Sequence, residues 1–496
     1  MKKLLEPKTV RKIEIIHLLT EASEPQNMNQ IATKLNLNIK TLLSTIDEIN
    51  YDAKRLQQSI EIERYSRSEL KLTASNDFSP AYLKFKYFQE APCYQIIDIK
   101  FKNPNETLNN IAEENHMSQA SLYRKTLQLK EIFSAFNLEF DAHHSFPIRG
   151  DEKQIRYFYY NFYRFHIQIF EWPFSKELLE LSTQIYEKTF NKIFTIQKLE
   201  MKEKCILWIA INLIRTTDFH LQEAELLDMK HLVEDRHVFQ KFKKGFEDGL
   251  SELNLENEVK LNENDLLLMF TLLASDEDFL ESTEFRQISI TSGDRPLFEK
   301  ATIVFLENIR NEMGFLLNAF EYARLSNNLL RVLMEAYFFP QTEIFFTFNY
   351  RFDFLSQHYY GKFSDKFEKF YHNSLTEDMY QIFKTNKNIY YELILLAVDT
   401  LDVLHFNPEI NVYLFKEKSI HLDSYYRKKI QTMTYSPIKF VEDYQEGDVD
   451  LIVSHNMSND KNLNWFIMNK PATQWDWERL DKELKRIQEL KKMKSI

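Results

Sequence analysis

Ile31-Ala32-Thr33-Lys34-Leu35-Asn36-Leu37-Asn38-Ile39-Lys40-Thr41-Leu42 has the pattern of a short helix, a tight turn and a second helix. Ala32 is small enough to let the second helix approach closely, and Leu35, Leu37, Leu42 and Ile46 supply an apolar seam. Asn36 falls in the turn, where asparagine tolerates left-handed geometry, and Asn38 suits the N-cap of the next helix. Shifted by 80 residues, the pattern returns as Ile111-Ala112-Glu113-Glu114-Asn115-His116-Met117-Ser118-Gln119-Ala120-Ser121-Leu122. Met117 stands for Leu37 and Ser118 for Asn38, so an apolar residue followed by a capping residue recurs where turn meets helix. Two helix-turn-helix units in tandem are the reading that decides the rest.

Around the first copy, residues 8–21 read as a leading helix stopped by Ser23-Glu24-Pro25, with a second helix at about 28–35. Ile60-Glu61-Ile62-Glu63 and Leu70-Lys71-Leu72-Thr73 alternate about Tyr65-Ser66-Arg67-Ser68 and predict a two-stranded wing. Around the second copy, leading helices are expected near 80–89 and 92–101, with a wing-like tail from Leu138-Glu139-Phe140 through His143-His144 to Ile148-Arg149.

In a helix-turn-helix the helix after the turn enters the major groove, and residues near its start meet the bases. The candidates are Asn38, Lys40, Thr41, Ser44 and Thr45 in the first unit, with Arg67 at the wing. In the second they are Ser118, Gln119, Ser121, Tyr123, Arg124 and Lys125. Gln119 and Arg124 are the expected base readers, since Gln pairs bidentately with adenine and Arg with guanine, while Lys and hydroxyls serve phosphates equally well.

The remaining composition fits this reading. The chain has 496 residues, enough for several domains, with 44% hydrophobic and 28% charged residues. Only 7 glycines occur, the first at Gly150, so few tight hairpins or phosphate-cradling loops are available and a mostly helical protein is expected. Neither nucleotide-binding glycine motif is present, and no enzyme activity or cofactor is expected. Cys93 and Cys205 cannot form a zinc or redox motif, and adjacent His143 and His144 lack further ligand spacing, so no metal is expected. With no signal peptide and no apolar run long enough to span a membrane, a cytoplasmic location is expected. The net charge is −11, but residues 1–150 carry 20 Lys and Arg against 19 Asp and Glu, so the acidity lies downstream. DNA contact is therefore expected at the N-terminal part.

Met117-Ser118-Gln119-Ala120-Ser121-Leu122-Tyr123-Arg124-Lys125-Thr126-Leu127, running on to Ile132-Phe133 and Phe136-Asn137-Leu138, resembles the second DNA-binding unit of the Mga/AtxA-like virulence regulators. The resemblance extends along nearly the full chain. It implies two winged helix-turn-helix domains (1–76 and 77–150), two helical domains like phosphotransferase-system regulation domains (151–285 and 286–407) and a small IIB-like α/β domain (408–496). Long apolar patterns at Ile155 to Phe170, Leu178 to Phe190, Cys205 to Leu213, Leu297 to Ile309, Leu329 to Tyr337 and Ile389 to Leu404 fit helical bundles. Strands at 411–415, 438–442, 450–454 and 465–468, with helices near 420–432 and 474–493, fit the last domain. The loop after its first strand reads Lys416-Glu417-Lys418-Ser419, without the cysteine that accepts phosphate in true IIB enzymes.

The resemblance implies a regulator that binds double-stranded DNA as a homodimer and is controlled by histidine phosphorylation from the phosphocarrier protein. His220 and His358 are the first candidates, with His166, His231, His237 and His372 as competitors, and Arg215 as a phosphate partner for His220. An RNA-binding antiterminator and a phosphocarrier are the rival readings. The helical N-terminus opposes the first and the missing cysteine the second.

Overall fold

The structure is a computed structural model. It describes residues 2–494 apart from 23, 116, 143, 145, 169–170, 194–198, 231–236, 256–257, 276–296, 341–360, 374–386, 416–419, 435, 443–448 and 456–463. The protein is a mostly helical, multidomain chain with small sheets, as the glycine-poor composition predicts.

The chain divides into two compact bodies. The larger comprises the described residues of Met1–Pro296, Arg331–Phe348 and Ile382–Asn388. It opens with α1 (Pro7–Thr20), β1 (Gln26–Asn27), α2 (Met28–Lys34), α3 (Ile39–Arg55), β2 (Ile60–Arg64) and β3 (Glu69–Ala74). Ile13, Ile16, Leu42, Ile46, Ile49, Ile62 and Leu70 form its core. The wing has one strand more than the alternating pattern predicts. β1 pairs antiparallel with β3, and the Met28 amide donates to the Ser68 carbonyl at 2.8 Å, giving a sheet in the order β1-β3-β2. Two residues beside the helix-stopping Pro25 carry too little periodicity to announce a strand.

Next come α4 (Pro80–Gln89), α5 (Pro92–Lys102), α6 (Leu108–Glu114), α7 (Gln119–Ser134) and the short antiparallel pair β4 (Glu139–Phe140) and β5 (Ile148–Arg149). After them stand the long helices α8 (Glu152–Gln168), α9 (Lys176–Ile193) and α10 (Leu199–Arg215), then the single turn α11 (Leu227–Met229), α12 (His237–Leu253) and α13 (Glu263–Ala274). Aromatic rings pack between these helices: Phe158 lies 4.7 Å from the Phe133 ring and 5.2 Å from Phe136, and Phe190 lies 5.6 Å from Phe242. The larger body also takes the second half of the helix Ala319–Phe338, where Tyr157 donates to Glu335 at 2.7 Å and stacks on Phe339.

A buried ionic cluster ties three of these helices. Arg156, fully buried, donates to Glu152 at 3.0 Å, Asn212 at 2.8 Å and Asp265 at 2.7 Å. Arg215 reaches the same Glu152 at 2.9 and 2.6 Å. Two cations face two carboxylates, so the charges balance and their polar atoms are bonded, the condition under which burial is tolerated.

The smaller body holds the helices Leu297–Met313 and Gly361–Asn373, the first half of Ala319–Phe338, most of Lys387–Thr400, and the C-terminal sheet. There β6 (Ile410–Leu414), β7 (Ile438–Phe440), β8 (Leu451–Ser454) and β9 (Trp465–Ile467) run parallel in the order β7-β6-β8-β9. The helices Ile420–Gln431 and Gln474–Lys494 contribute Tyr426, Ile430, Trp477, Leu480 and Leu484 to its core. These elements fall at the strand and helix positions expected from the sequence of residues 408–496. The Lys416–Ser419 loop lies outside the described residues.

Candidate nucleic-acid interface

The two helix-turn-helix units coincide at the 80-residue offset in the bounds of the first helix and in the start of the second. α2 and α6 each have seven residues, and they are capped by Asn27 and Thr107, whose side chains accept from the amides of Asn29 and Gln30 and of Asn110. Each turn closes with the same backbone hydrogen bond, from Leu37 to the Ala32 carbonyl at 2.8 Å and from Met117 to Ala112 at 2.7 Å. Asn36 has φ +52°, as its place in the turn predicts. Asn38 and Ser118 then cap α3 and α7, accepting from Thr41 and Ser121 at 2.8 and 3.2 Å. The far ends match too: Gln57 and Asn137 have φ +54° and +56°, and Gln58 and Leu138 donate back to Ala53 and Phe133. Such left-handed ends satisfy the last helical carbonyls.

Ten of the twelve predicted contact residues lie at least partly toward solvent. Asn38, Lys40, Ser44, Arg67, Ser118, Gln119, Tyr123 and Arg124 are exposed, and Thr41 and Ser121 are half-buried. Thr45 and Lys125 turn inward, being only 3% and 8% exposed. They are one position of the repeat. Thr45 returns its hydroxyl to the Thr41 carbonyl at 2.8 Å, while the Lys125 ammonium meets the Glu6 carboxylate and Gln128 Oε1. Helical spacing carries the signal, since Thr45 falls between Leu42 and Ile49, and Lys125 between Leu122 and Leu129.

The exposed faces of the two second helices differ. On α3, Lys40 and Ser44 are followed by exposed Asp47, while Glu48 binds Lys8 at 2.7 Å and Lys12 at 3.2 Å. Burial pushes the Glu48 carboxyl up, but Lys8 and Lys12 outweigh it and hold the group below its ordinary range. Those two lysines are thereby occupied by protein carboxylates. On α7, Gln119, Tyr123, Arg124 and Lys130 are exposed, and Leu127, one turn after Tyr123, is 44% exposed. Leu127 and Lys130 are additions to the predicted set. Both lie off the buried stripe Leu122, Leu129, Ile132 and Phe133, a placement readable from helical spacing.

The histidines separate by exposure. His220 is exposed beyond the end of α10. The predicted phosphate partner Arg215 is instead buried, engaged with Glu152 and lying 4.2 Å from the Phe219 ring centre. His166 is buried, within hydrogen-bonding distance of the Tyr94 hydroxyl (2.6 Å) and the Glu171 carbonyl (3.1 Å), and burial lowers its pKa to about 4. His372 is exposed, whereas His231 and His358 lie outside the described residues, as does the side chain of His237. His144 bonds within its own turn, accepting from the Phe146 amide at 3.2 Å, and His143 lies outside the described residues. Cys93 and Cys205 are buried, and burial pushes the Cys93 thiol up to about 12. No cluster of three His, Cys, Asp or Glu suited to a metal occurs among the described residues, and none of their helices is long and apolar enough to cross a membrane.

Comparison with known proteins agrees with the geometry. Residues 76–163 match the family described as the Mga helix-turn-helix domain, a segment that runs from the start of α4 into α8. The chain is also 22% identical over 227 residues to a protein of Streptococcus pneumoniae named "Putative trans-acting regulator". That match covers 45% of this chain and 45% of the relative, so the chain spans less than half of the relative's length.

Proposed function

We propose that this Mga-like chain is a transcription regulator that docks on promoter duplex DNA through both helix-turn-helix units, with α7 reading bases and the first unit positioning the protein on the backbone. The observation that carries this is the exposed polar start of α7, set on a turn closed by the same backbone hydrogen bond as in the first unit. Gln119 and Arg124 offer bidentate partners to adenine and guanine, and Tyr123 and Leu127 offer apolar contact to thymine methyls. Ser118, Ser121, Lys40, Thr41, Ser44, Asn38 and the wing residue Arg67 serve phosphates and sugars. The Mga helix-turn-helix match and the relative's printed name support the same reading.

The test is a mobility-shift titration on promoter duplexes. Affinity is expected to fall steeply with salt as condensed counterions are released. Arg124→Ala should cost about 1–3 kcal/mol of specific binding, whereas Lys125→Ala should leave the salt slope unchanged because that ammonium faces Glu6. Unchanged affinity in the joint Gln119→Ala and Arg124→Ala protein would overturn the assignment of α7. Tighter binding to single-stranded RNA than to duplex would favour antitermination instead.

Control by histidine phosphorylation and by dimerisation belongs to the same proposal, with His220 and His358 as acceptors and the phosphocarrier protein as donor. Its support is the exposure of His220 and the resemblance of the helical regions. Loss of acid-labile phosphate on His220→Ala and His358→Ala is the expected result, and absence of any transfer would remove it.

A further inference from the structure

Each recognition helix is held by the opposite helix-turn-helix unit. The last residue of α3, Arg55, grips Glu90 just after α4 through two bonds of 2.6 and 3.0 Å. In return, the segment preceding α1 lies along α5 and α7. Its Leu4 and Leu5 are buried, Glu6 meets Lys125 on α7, and the Lys3 carbonyl accepts from Gln128 one turn further on. Between these two ties α1 packs on α4, with the Lys12 ammonium 5.5 Å from the centre of the buried Tyr87 ring. The connection itself, residues 75–79, is five residues long and carries a turn bond from Phe78 to the Ser75 carbonyl at 3.1 Å. A tether this short, with ionic and apolar ties on both sides, leaves the units little freedom to rotate against each other.

Resting on the DNA-binding reading above, and adding to it that exposed Lys40 at the start of α3 also reads a base, since lysine serves guanine as well as phosphate, we propose that α3 and α7 form one rigid reading head, so that the chain accepts only duplex sites whose two elements lie at a single spacing and orientation. Each inserted base pair turns one element about the helix axis, and a whole turn, about 10 base pairs, carries it roughly 34 Å away. Five residues reach at most about 18 Å and cannot follow a whole turn, but a tandem joined by this tether alone would follow the first inserted base pair, a shift of roughly 3.4 Å. A clasped one cannot. Glu6, Arg55 and Glu90 are then positioning residues that touch no DNA.

The experiment uses the full chain. Sites are selected from a random duplex pool, and the enriched site is rebuilt with one and ten base pairs inserted between its two elements. For the unaltered protein both insertions should lower affinity by about 100-fold or more, toward the non-specific level. In Arg55→Glu, or in Glu6→Ala with Leu4→Asp, the one-base-pair insertion should become tolerated to within about tenfold of the parent site, while the ten-base-pair insertion stays rejected because the tether cannot span it. Arg55→Glu combined with Glu90→Arg should restore the discrimination, a rescue that a merely unfolded variant cannot give. Tolerance of the one-base-pair insertion by the unaltered protein overturns the rigid head while leaving DNA reading intact, as does unaltered discrimination against that insertion in both clasp variants. Failure to enrich any duplex overturns the DNA-binding reading, and this inference with it.

Discussion

The first and second helix-turn-helix units share the starts of both helices, the bond that closes the turn and the left-handed residue beyond the second helix, yet they are completed in different ways. The first closes on itself. Its three-stranded sheet is pinned by Asn50, whose side chain donates to the Ile62 carbonyl at 2.8 Å and accepts from the Ile62 amide at 2.9 Å. The second has strands of only two residues and closes against α8, with Phe133 stacked on Phe140 at 5.5 Å and packed on Phe158 of that helix. Tyr94 and Phe101 of α5 likewise lie on Phe162 and Tyr159 of α8. The presentation of the helix after the turn is thus separable from the support behind it. The former repeats, and the latter is supplied by a wing in one unit and by a downstream helix in the other.

The largest break in the comparison is expected at the equivalent pair Ala53 and Phe133, both fully buried. Phe133→Ala should cost about 3–5 kcal/mol, because it removes the ring joining α7, the short ribbon and α8. Its denaturant midpoint should drop for helical signals of the second unit and α8 together. Separate transitions for the two would mean that α8 does not complete the second unit.

A second difference is a titration at His166 of α8, whose ring meets Tyr94 of α5 and Phe85 of α4. His166, kept neutral by burial, binds fewer protons in the folded chain than in the unfolded one between pH 4 and its ordinary 6.5. Its contribution is therefore full above about pH 6.5 and is lost as pH falls through that window, by about 3 kcal/mol in all. Urea midpoints at pH 7 and pH 5 should diverge, and His166→Gln should flatten the difference. An equal slope in the variant would assign the pH dependence elsewhere.

Legibility in the sequence divides in the same way. Capping residues, the turn asparagine and the 80-residue offset are local signals, written within about a dozen neighbouring residues, and they place α2, α3, α6 and α7 within a residue or two. Support is non-local. That β1 joins the wing, or that Phe158 completes the second unit, depends on partners distant along the chain, which no periodicity reports. The resemblance to the Mga-type unit ends at Leu138, whereas the matched family segment continues to residue 163 and so includes the first part of α8. The inward turn of Thr45 and Lys125 was legible in helical spacing but masked by chemistry, since a hydroxyl and an ammonium near a recognition helix start look like phosphate ligands. Lys125 is buried because Glu6, 119 residues earlier, is there to meet it.

The wing gives a smaller and more selective test. Asn50→Ala leaves the amide and carbonyl of Ile62 without their side-chain partner, which should cost about 1–3 kcal/mol. The equivalent position in the second unit is exposed Lys130, where replacement by alanine should change stability by less than about 0.5 kcal/mol. Similar losses at both positions would mean that the second ribbon is braced in the same way as the first.

The smallest expected effects fall where the units agree, and they test whether the shared turn has one energetic value in two settings. Asn38→Ala and Ser118→Ala each remove a side-chain acceptor from a helix start, at about 1 kcal/mol apiece. If the units were independent the two losses would add, because distant sites without shared partners are additive to within about 0.5 kcal/mol. The reciprocal ties at Arg55–Glu90 and Glu6–Lys125 argue for coupling, since fraying the start of α7 disturbs the helix on which the leading segment rests. The double variant should therefore depart from additivity by more than that margin, measured by denaturant unfolding of the full chain. Strict additivity would show that the caps are local devices and that the link between the units resides in the two ion pairs and the α1–α4 contact alone.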